Sequence, residues 1–353
     1  MIAIRFYRIY DIEQEIHLDL LEQALARNYF TARASFLRVS PKSIMMENPP
    51  LLISMHPVTV ECEGIFFEFN AIVKIYDIGA ISLCFVYQDN AIPSSALEET
   101  AFILAGQECI SDLFQAYLKN LSEILYPYIA SHSIDPGFYE DYTIYVTDTI
   151  DTTIDSAVLL NSERVSLSSH MREEIEKNTL SYTCDDRVTF SWDAALLCNP
   201  ETPTDMIELI EFANVQVLEL RYYDRLLTKQ MAKMYDDIEQ ADKLPSFRRA
   251  RQYHAIMAYL MELFADISEI TDKINNLIKV TEDIYYARVY AMVLKVVRIS
   301  QWSDSVDRKI EVIYKNYSML SDEVRIQHSN FLEWIVIILI AMELFFAIWQ
   351  NFR

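Results

Sequence analysis

The residues able to do chemistry are scattered, and their spacing argues against most catalytic classes. The six histidines, His17, His56, His132, His170, His254 and His328, fall into no H-E-x-x-H or comparable metal-ligand pattern. Solvated or hydrogen-bonded imidazoles are therefore expected, and no metal or other cofactor. Asp148, Asp151 and Asp155 recur at helical spacing, and clustered carboxylates can hold Mg²⁺ or Ca²⁺. The EF-hand spacing is absent, however, and Thr149, Thr152 and Thr153 between them read as a polar surface turn. The acid pairs Glu61/Glu63 and Asp185/Asp186 could serve acid–base chemistry only if a cleft gathered them. No G-x-S-x-G occurs, and no serine or cysteine has an evident base. Four glycines, Gly64, Gly79, Gly106 and Gly137, cannot make a dinucleotide-binding or Walker loop. Five separated cysteines contain no C-x-x-C and suggest neither a zinc site nor a disulfide framework; buried free thiols are the expectation.

One basic cluster stands out. Phe247-Arg-Arg-Ala-Arg-Gln-Tyr253 places Arg248, Arg249 and Arg251 between aromatics, which could grip RNA phosphates or anionic lipid headgroups. A helix start that pairs with acidic surface is the reading the sequence favours. The formal net charge of −22 repels phosphate backbones and disfavours broad nucleic-acid binding.

The elements that must carry these residues are read from periodicity. Residues 1–200 predict an acidic α/β domain, with 1–130 and 140–200 as two subdomains in one version. Ile2–Ile9 reads as a strand rather than a signal peptide, and residues 11–27 as a helix. Runs 35–46, 51–61, 65–76 and 81–87 read as strands, residues 94–126 as helix, 142–146 as a strand, 168–177 as a helix and 187–192 as a strand. From Thr204 the period changes. No glycine follows Gly137 and no proline follows Pro245, so the last third lacks helix breakers. Apolar residues then alternate by three and four in three runs, typified by Leu220/Leu227/Met234, Ile256/Leu260/Ile267 and Val306/Ile313/Leu320. This predicts long antiparallel heptad helices over 204–330 after a turn at Pro245, with Asp224 as a polar seam residue that fixes register.

Phe331–Trp349 is a 19-residue apolar run. As a helix it would rise about 28 Å, close to a bilayer's hydrocarbon core. Trp334 and Trp349 sit near its ends, where indoles favour the headgroup region. Ten Leu, Ile, Val or Phe residues between Ile335 and Ile348 contribute roughly −3 to −6 kcal/mol on an insertion scale, against about +3 for a central acid such as Glu343. A C-terminal transmembrane helix over 331–349 is thus predicted, single-pass, in the cytoplasmic membrane with the N-terminal body in the cytoplasm. Lys309, Lys315 and Arg325 before it outnumber Arg353 after it, as the positive-inside rule asks.

The stretch Leu332-Glu-Trp-Ile-Val-Ile-Ile-Leu-Ile-Ala-Met-Glu343 resembles the C-terminal signature of the required-for-meiotic-nuclear-division (RMND, YagE-type) family. The resemblance continues through Leu218-Glu-Leu-Arg-Tyr-Tyr-Asp224, Ile274-Asn-Asn-Leu277, Asp283-Ile-Tyr-Tyr-Ala-Arg-Val-Tyr290 and Trp302. It implies a membrane-bound homo-oligomer connected with translation, by ribosome anchoring, or with cell division, and it carries no catalytic residues over.

The sequence therefore predicts an α+β protein: a mixed α/β domain, then heptad helices, then one transmembrane helix. Its expected function is a membrane-anchored homo-oligomeric scaffold without catalytic activity. Its expected partners are itself, the lipid bilayer, and a ribosome or another protein complex. Leu332, Glu333, Trp334, Glu343 and Trp349 would make the anchor and the helix contacts. The alternative is a carboxylate- or metal-dependent hydrolase within residues 1–200.

Overall fold

Strand β1 (Ile2–Asp11) sets the architecture because both of its faces are covered. Its side chains alternate across the sheet, so Ile2, Ile4, Phe6 and Tyr10 enter one core while Ala3, Tyr7 and Ile9 enter another. The structure, a computed structural model, describes residues 1–12, 16–26, 29–33, 48–105, 108–128, 134–244, 246–276 and 284–351. The chain divides into two units, Met1–Tyr222 with Lys273–Trp302, and Tyr223–Asp272 with Ser303–Arg353.

The first unit is built on a ten-stranded sheet. After β1 come α1 (Leu18–Leu25), β2 (Phe30–Arg33), β3 (Leu51–Ser54), β4 (Val58–Cys62), β5 (Ile65–Ile75) and β6 (Ala80–Asp89). Then follow α2 (Leu97–Leu104), α3 (Glu108–Leu125), β7 (Tyr139–Thr147), α4 (Ser156–Asn161), α5 (Ser169–Glu176), β8 (Thr179–Leu180), β9 (Arg187–Phe190) and β10 (Ala194–Cys198). The order across the sheet is β2-β3-β5-β6-β1-β7-β10-β9-β8, with β4 paired to β5 off that path. Every pairing is antiparallel except β7 with β10. One face carries Phe69, Phe85 and Tyr145 against Leu21 of α1, Leu104 of α2, Phe114 of α3 and Leu160 of α4. The opposite face carries Val86, Ile144, Phe190 and Leu197 against α6 (Thr204–Asp242) and α8 (Ile284–Val296).

Local chemistry explains several boundaries. Residues 51–61 make two strands rather than one, divided at Met55-His56-Pro57, because proline cannot donate to a ladder. Cys62 pairs with Ile65 across Glu63-Gly64, and both of those turn residues have positive φ (52° and 78°), as a two-residue I′ hairpin requires. The expected helix over 94–126 is a 3₁₀ turn followed by two helices, α2 and α3. The sequence reading passed over α4, which Asp155 caps by accepting from the Ala157 and Val158 amides. The strand expected over 35–46 and the turn expected at Pro245 lie outside the described residues. Cys84 and Cys198 are buried free thiols and Cys184 is an exposed one. Cys62 departs from expectation: it is disulfide-bonded.

The second unit is helical. It comprises the later part of α6, most of α7 (Ser246–Asn276), and α9 (Ile299–Asn351) from Ser303 onward. Leu227, Met234, Ile256, Leu260, Ile267, Val306, Ile313 and Leu320 are buried in it. Asp224 accepts from Ser305 Oγ at 2.6 Å and from Lys309 Nζ at 2.5 Å, an ion pair between α6 and α9.

The expected fold class needs correction at its C-terminal end. Among the described residues no helix is long and apolar enough to cross a membrane. Residues 331–349 continue the 53-residue α9 instead of forming a separate span. The part of the run whose side chains are described, Leu332–Leu344, is 13 residues with two carboxylates, Glu333 and Glu343. The expected cytoplasmic-membrane localisation falls with the anchor. The Trp349 side chain lies outside the described residues.

Candidate functional site

The densest polar chemistry of the first unit lies where α6 covers the sheet. Period-2 alternation brings Arg5 and Tyr7 of β1, Lys74 of β5, and Ser82 and Cys84 of β6 to that face. Tyr7 stands opposite Cys84, and Ser82 stands opposite both Ile9 and Lys74. The helix supplies Glu208 and Glu211, three apart and so on one stripe.

Lys74 Nζ donates to Glu208 Oε2 at 2.6 Å and to Glu211 Oε2 at 2.7 Å. The Lys74 and Glu211 side chains are only 6% and 1% exposed. Burial opposes the Lys74 charge, but Glu211 and Glu208 outweigh it and push its pKa up to about 12. Glu208 is raised by burial, against the pull of Lys74. Burial also raises Tyr7 and Tyr76, and pushes the Cys84 thiol up to about 12. A thiol so held is a poor nucleophile, and a lysine paired with two carboxylates is a cation, not a free amine. Two cations, Arg5 and Lys74, thus meet two anions, with Lys74 and Glu211 buried and the Glu208 side chain 21% exposed at the edge of the layer. The arrangement clamps the helix to the sheet.

Two further carboxylate sites lie along α6. Glu219, 1% exposed, has an Oε1 with no hydrogen-bond partner. Burial raises its pKa well above the ordinary glutamate value, with Asp11 and Asp77 adding to the effect. Asp77 Oδ2 accepts from Asn48 Nδ2 at 2.9 Å. Two residues further on, Arg221 pairs with Glu140 and lies over the rings of Phe138 and Trp302 (5.6 and 5.8 Å to the centroids).

The residues singled out in the sequence go to separate tasks. Asp148 Oδ2 binds the N-terminal ammonium at 2.8 Å. Asp151 accepts from the Thr153 amide and hydroxyl, as in an Asx turn, and Asp155 caps α4 and holds Arg172 Nη1 at 2.5 Å. Asp186 is buried and accepts from the Tyr182 and Thr183 amides, the Thr183 hydroxyl and Tyr285 Oη, while Asp185 contributes its backbone amide, which donates to the Thr183 hydroxyl oxygen at 3.3 Å. Among the described residues no three His, Cys, Asp or Glu side chains are placed to hold a metal ion. Arg248 and Arg251 are exposed on α7, and Arg249 is half-buried. Leu332, Glu333, Trp334 and Glu343 are exposed on α9.

Sequence reading passed over Arg5, Lys74, Glu208, Glu211 and Glu219. The signal was present for the last three. Ten of the fifteen residues from 206 to 220 are apolar, and Glu208, Glu211 and Glu219 lie among them, the last two at eight-residue spacing, which is about two helical turns. A charge within an apolar helical stripe is a buried charge.

Residues 1–204 match the family described as "Uncharacterized protein MJ0711, N-terminal domain", and the chain belongs to that family. A relative named "Uncharacterized protein MJ0711", from Methanocaldococcus jannaschii, is 26% identical over 249 residues, covering 67% of this chain and 74% of the relative. No solved structure matches. The family match corrects the resemblance to the RMND family. That resemblance rested on residues after 200, chiefly an isoleucine- and leucine-rich helical run whose composition many helices share. The family is carried by the sheet domain instead.

Proposed function

We propose that this member of the MJ0711 N-terminal domain family is a non-catalytic scaffold whose copies self-assemble through the C-terminal part of α9. One observation carries this reading. All 13 residues from Leu332 to Leu344 are exposed in the single chain, ten of them large and apolar, with Trp334 at 64%. A helix that is apolar all round is stable in water only when covered. Covering ten half-exposed side chains is worth on the order of 10 kcal/mol per chain. A micromolar complex needs about 8 kcal/mol. Association costs at least several kcal/mol in lost freedom, so pairing along a single stripe is marginal, and a bundle that covers several faces is favoured. The polar chemistry of the first unit supports the same reading, because Lys74, Glu208 and Glu211 are engaged with one another. The test is the molar mass of the intact chain by light scattering across a concentration series. An assembly of several copies is expected, together with a shift to monomer in Ile337→Asp/Ile340→Asp. These positions are exposed in the single chain, so the substitutions leave its folding intact. A monomer at every concentration overturns the proposal.

A further inference from the structure

We infer that Glu219, with Asp11 and Asp77, forms a proton-binding site beneath α6, and that the bound proton holds this part of the helix against the sheet. Three elements converge there: Asp11 ends β1, Asp77 follows β5 in the turn to β6, and Glu219 projects from α6. Asp11 and Glu219 are 4% and 1% exposed, so neither exchanges freely with solvent.

The charges are what make the site unusual. Two turns earlier on the same helix, Glu208 and Glu211 meet Lys74 and have Arg5 close by. The charged groups acting on Glu219 are Asp11 from β1 and Asp77 from the β5–β6 turn, and both are acids. Asn48 supplies a neutral amide donor, and it is spent on Asp77. On α6 itself, Gln216 is engaged with Tyr290 of α8, and Arg221 with Glu140 of β7. Ionised, Glu219 would be a buried carboxylate beside two others, with Oε1 lacking any donor. Such a charge is neutralised before it is tolerated. Among the described residues no three-ligand cage for a metal ion stands there, and a proton is the species by which a buried carboxylate is ordinarily neutralised. Protonated, one Glu219 oxygen becomes a donor in a site already rich in acceptor oxygens.

The sign of the pH effect follows. An acid whose pKa is raised by folding keeps its proton in the folded state and loses it in the unfolded one. Stability therefore falls as pH rises from the ordinary glutamate value toward the folded value. Because α6 carries the chain from the first unit into the second, loss of this proton loosens the helix that joins them.

Urea unfolding of the intact chain from about pH 5 to pH 8 tests the inference against Glu219→Gln, which keeps the shape without the charge. The folding equilibrium constant of the variant should gain on that of the native chain by up to about tenfold per pH unit. Parallel pH profiles overturn the proposal. The infrared band of a buried protonated carboxyl in the native chain near neutrality is an independent readout, and its absence overturns the proposal even if the variant fails to fold. Restoration of high-pH stability by millimolar Ca²⁺ or Mg²⁺ would assign the site to a cation and also overturn it.

Discussion

Lys74 and Glu211 form an ion pair at 2.7 Å with side chains 6% and 1% exposed, so a β-strand and a helix 137 residues apart in sequence are joined by charges that water does not reach. Glu208 completes the arrangement at 2.6 Å. Such a triad adds little net stability compared with apolar packing, but it is severe on any change that removes one member.

Lys74→Met should therefore destabilise the first unit by about 3–5 kcal/mol, because it strands Glu211 as an uncompensated buried anion. Lys74→Met combined with Glu208→Gln and Glu211→Leu should recover most of that loss, and urea unfolding would show it. The lysine's folded pKa lies above its ordinary value of 10.5, at about 12. Its contribution is thus whole below pH 10.5 and is lost as pH rises through about 12. A native chain with no extra base sensitivity relative to the triple variant would contradict this.

The disulfide at Cys62 ties down the β4–β5 hairpin, whose tip exposes Ile65 and Phe66. Reductant, or Cys62→Ser, should lower stability by about 2–4 kcal/mol. Thermal melts with and without dithiothreitol would measure the loss, and coincident melts would refute the bond's contribution.

Asp186 gathers two backbone amides, the Thr183 hydroxyl and Tyr285 Oη, so it pins the β8–β9 turn to α8. Burial works against its charge, but the hydrogen bonds from Thr183 and Tyr182 prevail and hold its pKa below the ordinary aspartate value. A depressed carboxylate stabilises above its ordinary pKa and ceases to do so as pH falls through the folded value. Asp186→Ala should cost about 2–3 kcal/mol and Tyr285→Phe about 1 kcal/mol. Asp186→Ala should also flatten the acid limb of the stability curve, which unfolding at a series of pH values would reveal.

How much of this was legible in the sequence depended on the signal each element leaves. β1, β5 and β6 are long runs rich in Ile, Val, Phe and Tyr, so their existence and approximate ends could be read. The heptad positions Leu227, Met234, Ile256 and Val306 announced a helical region for the same reason. α4 is six residues long and β8 two, too short for any period to register. The parallel pairing of β7 with β10 depends on what lies between them in space, which residue order alone does not state. The buried charges were hidden differently. Arg5 lies in a strand that reads as N-terminal and polar-tolerant, and Lys74 reads as an ordinary solvated lysine until the helix above it is in place. The glutamates of α6, Glu208, Glu211 and Glu219, alone carried a readable mark, acids within a largely apolar helical run. The tail misled because apolarity records a need to be covered without recording by what.

That need is the central claim, and proximity between copies tests it most directly. The chain with Cys184→Ser and Ile338→Cys, labelled in separate batches with donor and acceptor dyes and then mixed, should show strong energy transfer between copies. The transfer should vanish when Ile337→Asp and Ile340→Asp are added. No transfer in the mixed, otherwise native chain at micromolar concentration would mean that Leu332–Leu344 is not the surface through which copies meet, and the scaffold proposal would fail.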